Sequence, residues 1–222
     1  TDAPSTKREL IALGVSTDRC IAIPCPIANK SIEKLPIKNT VPTFLCVGRV
    51  VRMKGVEDVL KAFTILLSSL PSAMLWIVGD GEKQYIHTLH KTERQYGLEK
   101  HIVWWGSVSE KKKLQLMAKA HILVHASVKE GWGLVVLEAA SQGTPTVAYP
   151  SGALRDTIVD GQTGILTTLS TPESLAQCAF KLYNDKITYS KMQKKGLLWS
   201  TSFTWPEATK QSLSLLHTAL EA

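Results

Sequence analysis

Short apolar strands alternating with longer amphipathic helices, punctuated by glycine, predict an α/β fold with a doubly wound parallel sheet. The run His121-Ile-Leu-Val-His125 shows the pattern most clearly. It is apolar between its histidines, reads as a buried parallel strand, and leads through a glycine-bearing loop into a helix over 134–142 closed by Gly143. Composition agrees: 44% of the 222 residues are apolar and 20% charged, the balance of a soluble globular chain rather than a disordered one.

Taken in order, residues 5–13 read as a helix capped by Gly14, residues 20–23 as a short strand, and the Pro-, Asn- and Lys-rich stretch ending near Pro42 as a connector. Residues 1–40 are therefore expected to be a linker, and 41–222 a sheet domain with a C-terminal helical tail. Within that domain, 44–47 is a strand and 56–70 an amphipathic helix that Pro71 ends. A strand over 73–78 runs into the turn Gly79-Asp80-Gly81, and a helix over 83–96 follows, closed by Gly97. Residues 102–105 form a short strand, and 109–119 a helix with Ser109 as N-cap. Strands over 146–149 and 164–167 come after the helix at 134–142, then the helix Pro172–Asn184 with Thr171 capping it. Residues 187–222 read as two helices, the second begun by Pro206.

Several function classes are disfavoured. No apolar run of about 18 residues is present to span a bilayer, and the opening Thr1-Asp-Ala-Pro-Ser-Thr-Lys-Arg-Glu9 has no apolar core of a signal peptide. The chain does not begin with Met and is expected to be a piece of something longer. Cys20, Cys25, Cys46 and Cys178 lack metal-ligand spacing, so reduced thiols in a cytoplasmic protein are expected. Asn29-Lys-Ser31 fits a glycosylation sequon and reads as incidental without a secretory signal. The net charge of +7 suits an anionic partner: nucleic acid, acidic lipid or a phosphorylated small molecule. No aromatic-interleaved basic motif exists, so nucleic acid is not expected. The clusters Lys111-Lys112-Lys113 and Lys191…Lys194-Lys195 read as solvated helix faces.

In a sheet of this type a ligand sits at the carboxyl ends of the strands. The loop after 44–47 is Gly48-Arg49-Val-Val-Arg52-Met-Lys54-Gly55, where an Arg fork and a Lys point charge could clamp a diphosphate. The loop after 121–125 carries Glu130, and the helix behind it Glu138, eight residues on. The unpaired amides of that helix's first turn could face an anion, and the two carboxylates could grip the ends of one elongated ligand. Gly79-Asp80-Gly81 invites a dinucleotide reading, but Gln84 stands where the third glycine belongs, and no phosphate loop of NTPase type occurs. The pairs His87/His90 and His121/His125 lack further ligands in register, and no Asp-x-Asp is present, so no metal site is expected.

Gly48-Arg49…Lys54-Gly55, Gly79-Asp-Gly81, Ser127-x-x-Glu130-Gly-Trp-Gly-Leu with Glu138, and Gly161-x-x-Gly164 together resemble one family. It is the group of retaining GT-B glycosyltransferases often called family 4 or group 1, which includes bacterial mannosyl- and glucosyltransferases and is similar to glycogen synthase. The resemblance covers about residues 41–169, lies with the C-terminal donor-binding half (one Rossmann-like half of the GT-B fold), and extends to Phe203-Thr-Trp205. It implies hexosyl transfer from a nucleoside-diphosphate sugar such as UDP-glucose or GDP-mannose, without metal or cofactor, to a glycan, lipid-linked or small acceptor in polysaccharide or glycolipid biosynthesis. Arg49 and Lys54 would hold the diphosphate, and Glu130 would bond a hydroxyl of the donor sugar. Glu138 would take the ribose. The donor would also meet Gly48 and the backbone at Gly131, Trp132, Gly133, Leu134 and Val135, with the base near Val103 and Trp104.

The resemblance further implies that an N-terminal acceptor domain is missing, with residues 1–40 its remnant and linker. The full-length protein would be cytoplasmic and in peripheral contact with the inner membrane surface, and this half would bind donor but transfer little. Two departures stand out: Trp132 replaces a more usual phenylalanine, and Ser151-Gly-Ala-Leu-Arg155-Asp156 replaces a Gly-Gly-x-Pro-Glu run, which leaves the donor sugar open. The alternative is a stand-alone nucleotide-sugar-binding or scaffold domain without catalysis. A sugar-nucleotide epimerase would need a different set of acids and a histidine facing the sugar, which the sequence does not reveal.

Overall fold

The computed structural model describes residues 1–28 and 31–220; Asn29 of the sequon lies outside the described residues. Its sheet contains β1 (Thr43–Val47), β2 (Met74–Val78), β3 (Ile102–Gly106), β4 (Ile122–His125), β5 (Thr146–Ala148) and β6 (Gly164–Leu166). All pairings are parallel, and the order is β3-β2-β1-β4-β5-β6. β1 and β4 are buried at every residue, as expected of central strands covered on both faces, whereas the edge strands β3 and β6 are only partly buried.

The helices are α1 (Pro4–Ala12), α2 (Val56–Ser69), α3 (Lys83–Gln95), α4 (Glu110–Lys119), α5 (Leu134–Ser141), α6 (Leu154–Thr157), α7 (Pro172–Asn184), α8 (Lys186–Ser200) and α9 (Trp205–Leu220). On one face of the sheet, α2, α3 and α7 pack Val59, Leu60, Phe63, Leu89, Leu175 and Ala179 against Phe44, Leu75 and Ile77. On the other, α4, α5 and α6 pack Leu116, Met117, Val136, Ala139 and Leu154 against Leu45, Val78 and Leu123. Helices on both faces of a parallel sheet are the doubly wound arrangement expected from the sequence. Truncating any of these large buried side chains to Ala would cost about 2–5 kcal/mol.

Reading the strand order outward from β1, the chain first goes one way, to β2 and β3, and then the other, to β4, β5 and β6. The reversal lies between β1 and β4, which pair through Phe44↔Ile122 and Leu45↔Leu123. Loops leaving these two strands diverge to opposite faces and open a crevice between them.

Three features differ from the sequence reading. Residues 20–23 do not join the sheet; their backbone bonds instead with the chain's first residue, Ile23 N to Thr1 O at 2.8 Å and Thr1 N to Ile21 O at 3.1 Å. Strand propensity alone does not place a segment in a sheet when its backbone finds partners elsewhere. A short helix, α6, occupies part of the stretch left without an element. The expected linker also packs: Ala3 and Ile27 are buried with Trp132, Leu137 and Ala153, and Lys38 bonds Ala118 O and Thr144 Oγ1.

α1 has no side-chain cap of its own, because its N-cap is Ala3. Asp156, at α6, supplies one: its Oδ2 accepts from Ser5 N at 2.7 Å and its Oδ1 from Arg8 at 3.2 Å. A borrowed cap satisfies an otherwise orphaned first-turn amide. Asp156→Ala is expected to cost about 1 kcal/mol in urea unfolding. Hydrogen exchange should quicken in Pro4–Ala12 while the amides of β1 and β4 keep their protection; unchanged exchange in α1 would contradict this account.

Candidate functional site

The β1 loop leaves the sheet at Gly48, whose φ of 142° lies where only glycine is comfortable and whose Cβ side is open space. A side chain there would be strained and would project toward the crevice. Gly79 and Gly81 serve a different purpose from a dinucleotide fingerprint. A Cβ on Gly79 would lie 1.9 Å from Gly48 O, and one on Gly81 1.9 Å from Val50 O, so this turn lets the β2 loop press against the β1 loop. Val50 N to Asp80 O, at 2.8 Å, fastens the contact.

Arg49, Lys54, Glu130 and Glu138 all line one cleft of about 660 Å³ at the carboxyl edge of the sheet. Gly48, Trp132, Gly133, Leu134 and Val135 line it too, together with Ser107, Glu110, Lys113 and Asp2. Gly131 sits in the chain between lining residues with open space on its Cβ side. Val103 and Trp104 lie within β3: Val103 packs with the α4–α5 face, while Trp104 meets the His90 ring at a tilt of 54° and donates to Glu93. Ser107 and Val108, just past that strand, reach the cleft in their place.

Glu130 is the best-anchored of these groups. Its Oε1 accepts from Lys54 Nζ at 2.5 Å and from His125 Nε2 at 2.7 Å, and its side chain is 9% exposed. Burial alone pushes this carboxyl upward. The bonds and charges of His125 and Lys54 outweigh it and hold the group at about 2, so it is ionised in the fold. Because an ionised carboxylate only accepts, Nε2 of His125 carries the hydrogen. Glu138 is held from the opposite wall, its Oε2 2.7 Å from Lys113 Nζ, which also reaches Glu110 Oε1 at 3.0 Å. Burial raises the Glu138 carboxyl above its ordinary value against that pull.

Arg49 is exposed and, among the described residues, has no ion-pair partner. α5 opens at Gly133, whose φ of 83° is a left-handed conformation that favours glycine. The amides of Leu134 and Val135 then begin the helix without a backbone acceptor among the described residues, and both residues line the cleft. A free guanidinium beside bare helix amides is a site for a polyanion. Trp132 fixes the loop from below: its indole donates to Cys25 O at 2.9 Å and meets Phe203 edge to face.

The roles of His125 and Lys113 were not evident from sequence. Lys113 belongs to a run read as solvated, yet it is half-buried and bonded to two carboxylates. The signal lay in position: Lys113 follows Glu110 by one helical turn, and His125 ends the strand just before the Glu130 loop. Among the described residues no three His, Cys, Asp or Glu side chains gather in a metal-holding group, and no helix is long and apolar enough to cross a membrane. All four cysteines are free thiols.

The family model described as Glycosyl transferases group 1 matches residues 28–199. The chain belongs to that family. Among curated relatives, a glycogen synthase of Thioalkalivibrio sulfidiphilus is 30% identical, over 96% of this chain and 45% of its own. A protein of Mycobacterium tuberculosis named GDP-mannose-dependent alpha-(1-6)-phosphatidylinositol monomannoside mannosyltransferase is 28% identical, over 90% of this chain and 52% of its own. The chain thus spans about half the length of the curated relatives it matches. The crystal structure of Anabaena HepE in complex with UDP-glucose superposes with a TM-score of 0.86 at 21% identity, covering 98% of this chain and 63% of that one. The two share the fold.

Acid should test the anchoring of Glu130. Its folded pKa of about 2 lies below the ordinary 4.5, so its contribution to stability is complete above pH 4.5 and is lost as pH falls from there toward 2. Unfolding free energies measured by urea across that window should fall more steeply in wild type than in Glu130→Gln, by about 2–3 kcal/mol over the whole interval. Parallel curves would show that the carboxylate gains nothing from its partners.

Proposed function

We propose that the chain is the donor-binding half of a retaining glycosyltransferase that takes a hexosyl group from a nucleoside-diphosphate sugar. The observation that carries this reading is the convergence of Arg49, Lys54, Glu130, Glu138 and the first amides of α5 on one cleft at the strand-order reversal. An elongated donor with its anionic bridge in the middle matches that layout: diphosphate over Gly48 and α5, hexose at Glu130, ribose at Glu138. The names of two matched proteins, one containing GDP-mannose and the other UDP-glucose, support the substrate class and leave the sugar and base open.

Transfer breaks the bond between the anomeric carbon and the diphosphate, so negative charge grows on the leaving phosphate in the transition state. Arg49, Lys54 and the first residues of α5 all line the cleft where that charge would develop. Preorganised donors of this kind stabilise the transition state more than the ground state. The chain's own cations supply this charge, so the reaction is proposed to need no metal. The acceptor would be bound by a further domain of the longer protein. The half described here is proposed to hold donor and, alone, to transfer little.

Thermal denaturation in the presence of EDTA tests the reading. At about a hundredfold excess over the dissociation constant, UDP, GDP or a sugar nucleotide derived from one of them should raise Tm by about 5 °C or more. Arg49→Ala and Glu138→Ala should each abolish most of that rise. No shift with any nucleoside diphosphate would refute donor binding.

A further inference from the structure

We propose that His125 is a positioning residue for the donor sugar. From beneath the cleft it commits one oxygen of Glu130 to the protein and thereby presents the other to a hydroxyl of the hexose. This rests on the donor reading above and adds to it a residue that would touch neither nucleotide nor sugar.

His125 ends β4 and is 2% exposed. Its Nε2 and Lys54 Nζ both bond Glu130 Oε1, while Oε2 has no hydrogen-bond partner among the described residues. Two donors on the same oxygen fix the plane of the carboxylate and leave the lone pairs of the other oxygen available. The two donors are not equivalent. Lys54 is a flexible point charge that lines the cleft beside Arg49, and a bound diphosphate would draw it away from Glu130. The imidazole is rigid and buried in the strand, so it remains on Glu130 when Lys54 turns to phosphate.

The backbone of the Glu130 loop is held without His125. Ser127 Oγ donates to Met53 O at 3.2 Å and to Lys129 O at 2.9 Å, Ala153 N donates to Glu130 O at 3.2 Å, and Gly152 packs against Glu130. Removing the imidazole therefore frees the Glu130 side chain rather than the loop. Its effect should fall on the sugar and spare the diphosphate.

The test is isothermal titration calorimetry of the 222-residue chain with UDP-glucose against UDP, and with GDP-mannose against GDP. His125→Leu should weaken the preferred sugar nucleotide about tenfold while its nucleoside diphosphate changes less than about twofold, the loss expected for one misplaced charge-assisted bond. His125→Gln puts an amide N–H near the place of Nε2 and should recover sugar-nucleotide affinity to within about threefold of wild type. Equal losses for both ligands, no loss for either, or a Gln variant no better than Leu would each overturn the proposal. Should wild type bind diphosphates but gain nothing from an attached sugar, the positioning role falls and the nucleotide reading stands. If neither these four nor any other nucleoside diphosphate binds, both fall.

Discussion

A single carboxylate oxygen of Glu130 joins the two loops that the reversal of strand order drives apart. Lys54 arrives from the β1 loop, His125 from the end of β4, and both settle on Oε1. Such a buried pair is a poor way to gain stability, since replacing it with well-packed apolar groups often costs nothing, whereas deleting one partner leaves a stranded charge at about 3–5 kcal/mol. The arrangement makes sense as a positioning device. It places a cation and an acid side by side in a cleft lined by both loops.

The rest of the cleft follows from how its charges are already occupied. Lys113 is engaged by Glu110 and Glu138, and Lys54 by Glu130, which leaves Arg49 and the opening amides of α5 as the groups most available to an anion. A ligand that carries hydroxyls at both ends and negative charge between them satisfies this distribution. A purely anionic ligand would meet the carboxylates as well as the cations. The local charge pattern is thus more selective than the overall surplus of +7 suggests.

The sheet was readable in the sequence because β1 and β2 are apolar runs closed by Gly48 and Gly79, β4 is an apolar run between two histidines, and burial on both faces leaves no alternation to confuse them. α7 matched from Pro172 to Asn184 because Thr171 caps it and proline opens it. α6 escaped notice because four residues carry no period. Residues 20–23 had strand propensity but pack against the chain's first residue instead of the sheet, a matter of tertiary context. Within the cleft, the acids and cations in glycine-bearing loops were legible. His125 and Lys113 were not: Glu130 is only five residues from His125, but the Lys54 that shares this carboxylate lies 76 residues from it, and Lys113 meets Glu138 from a different helix. Asp156 also escaped notice, since Ser5, whose amide it caps, lies 151 residues away.

The most direct measurement is a crystal structure of the chain grown with a nucleoside-diphosphate sugar. The account predicts the diphosphate within hydrogen-bonding distance of Arg49 and the amides of Leu134 and Val135, a hexose hydroxyl on Glu130, and the ribose on Glu138. A nucleotide bound elsewhere, such as the groove between α2 and α7 lined by Ile65, Leu169 and Phe180, would contradict it.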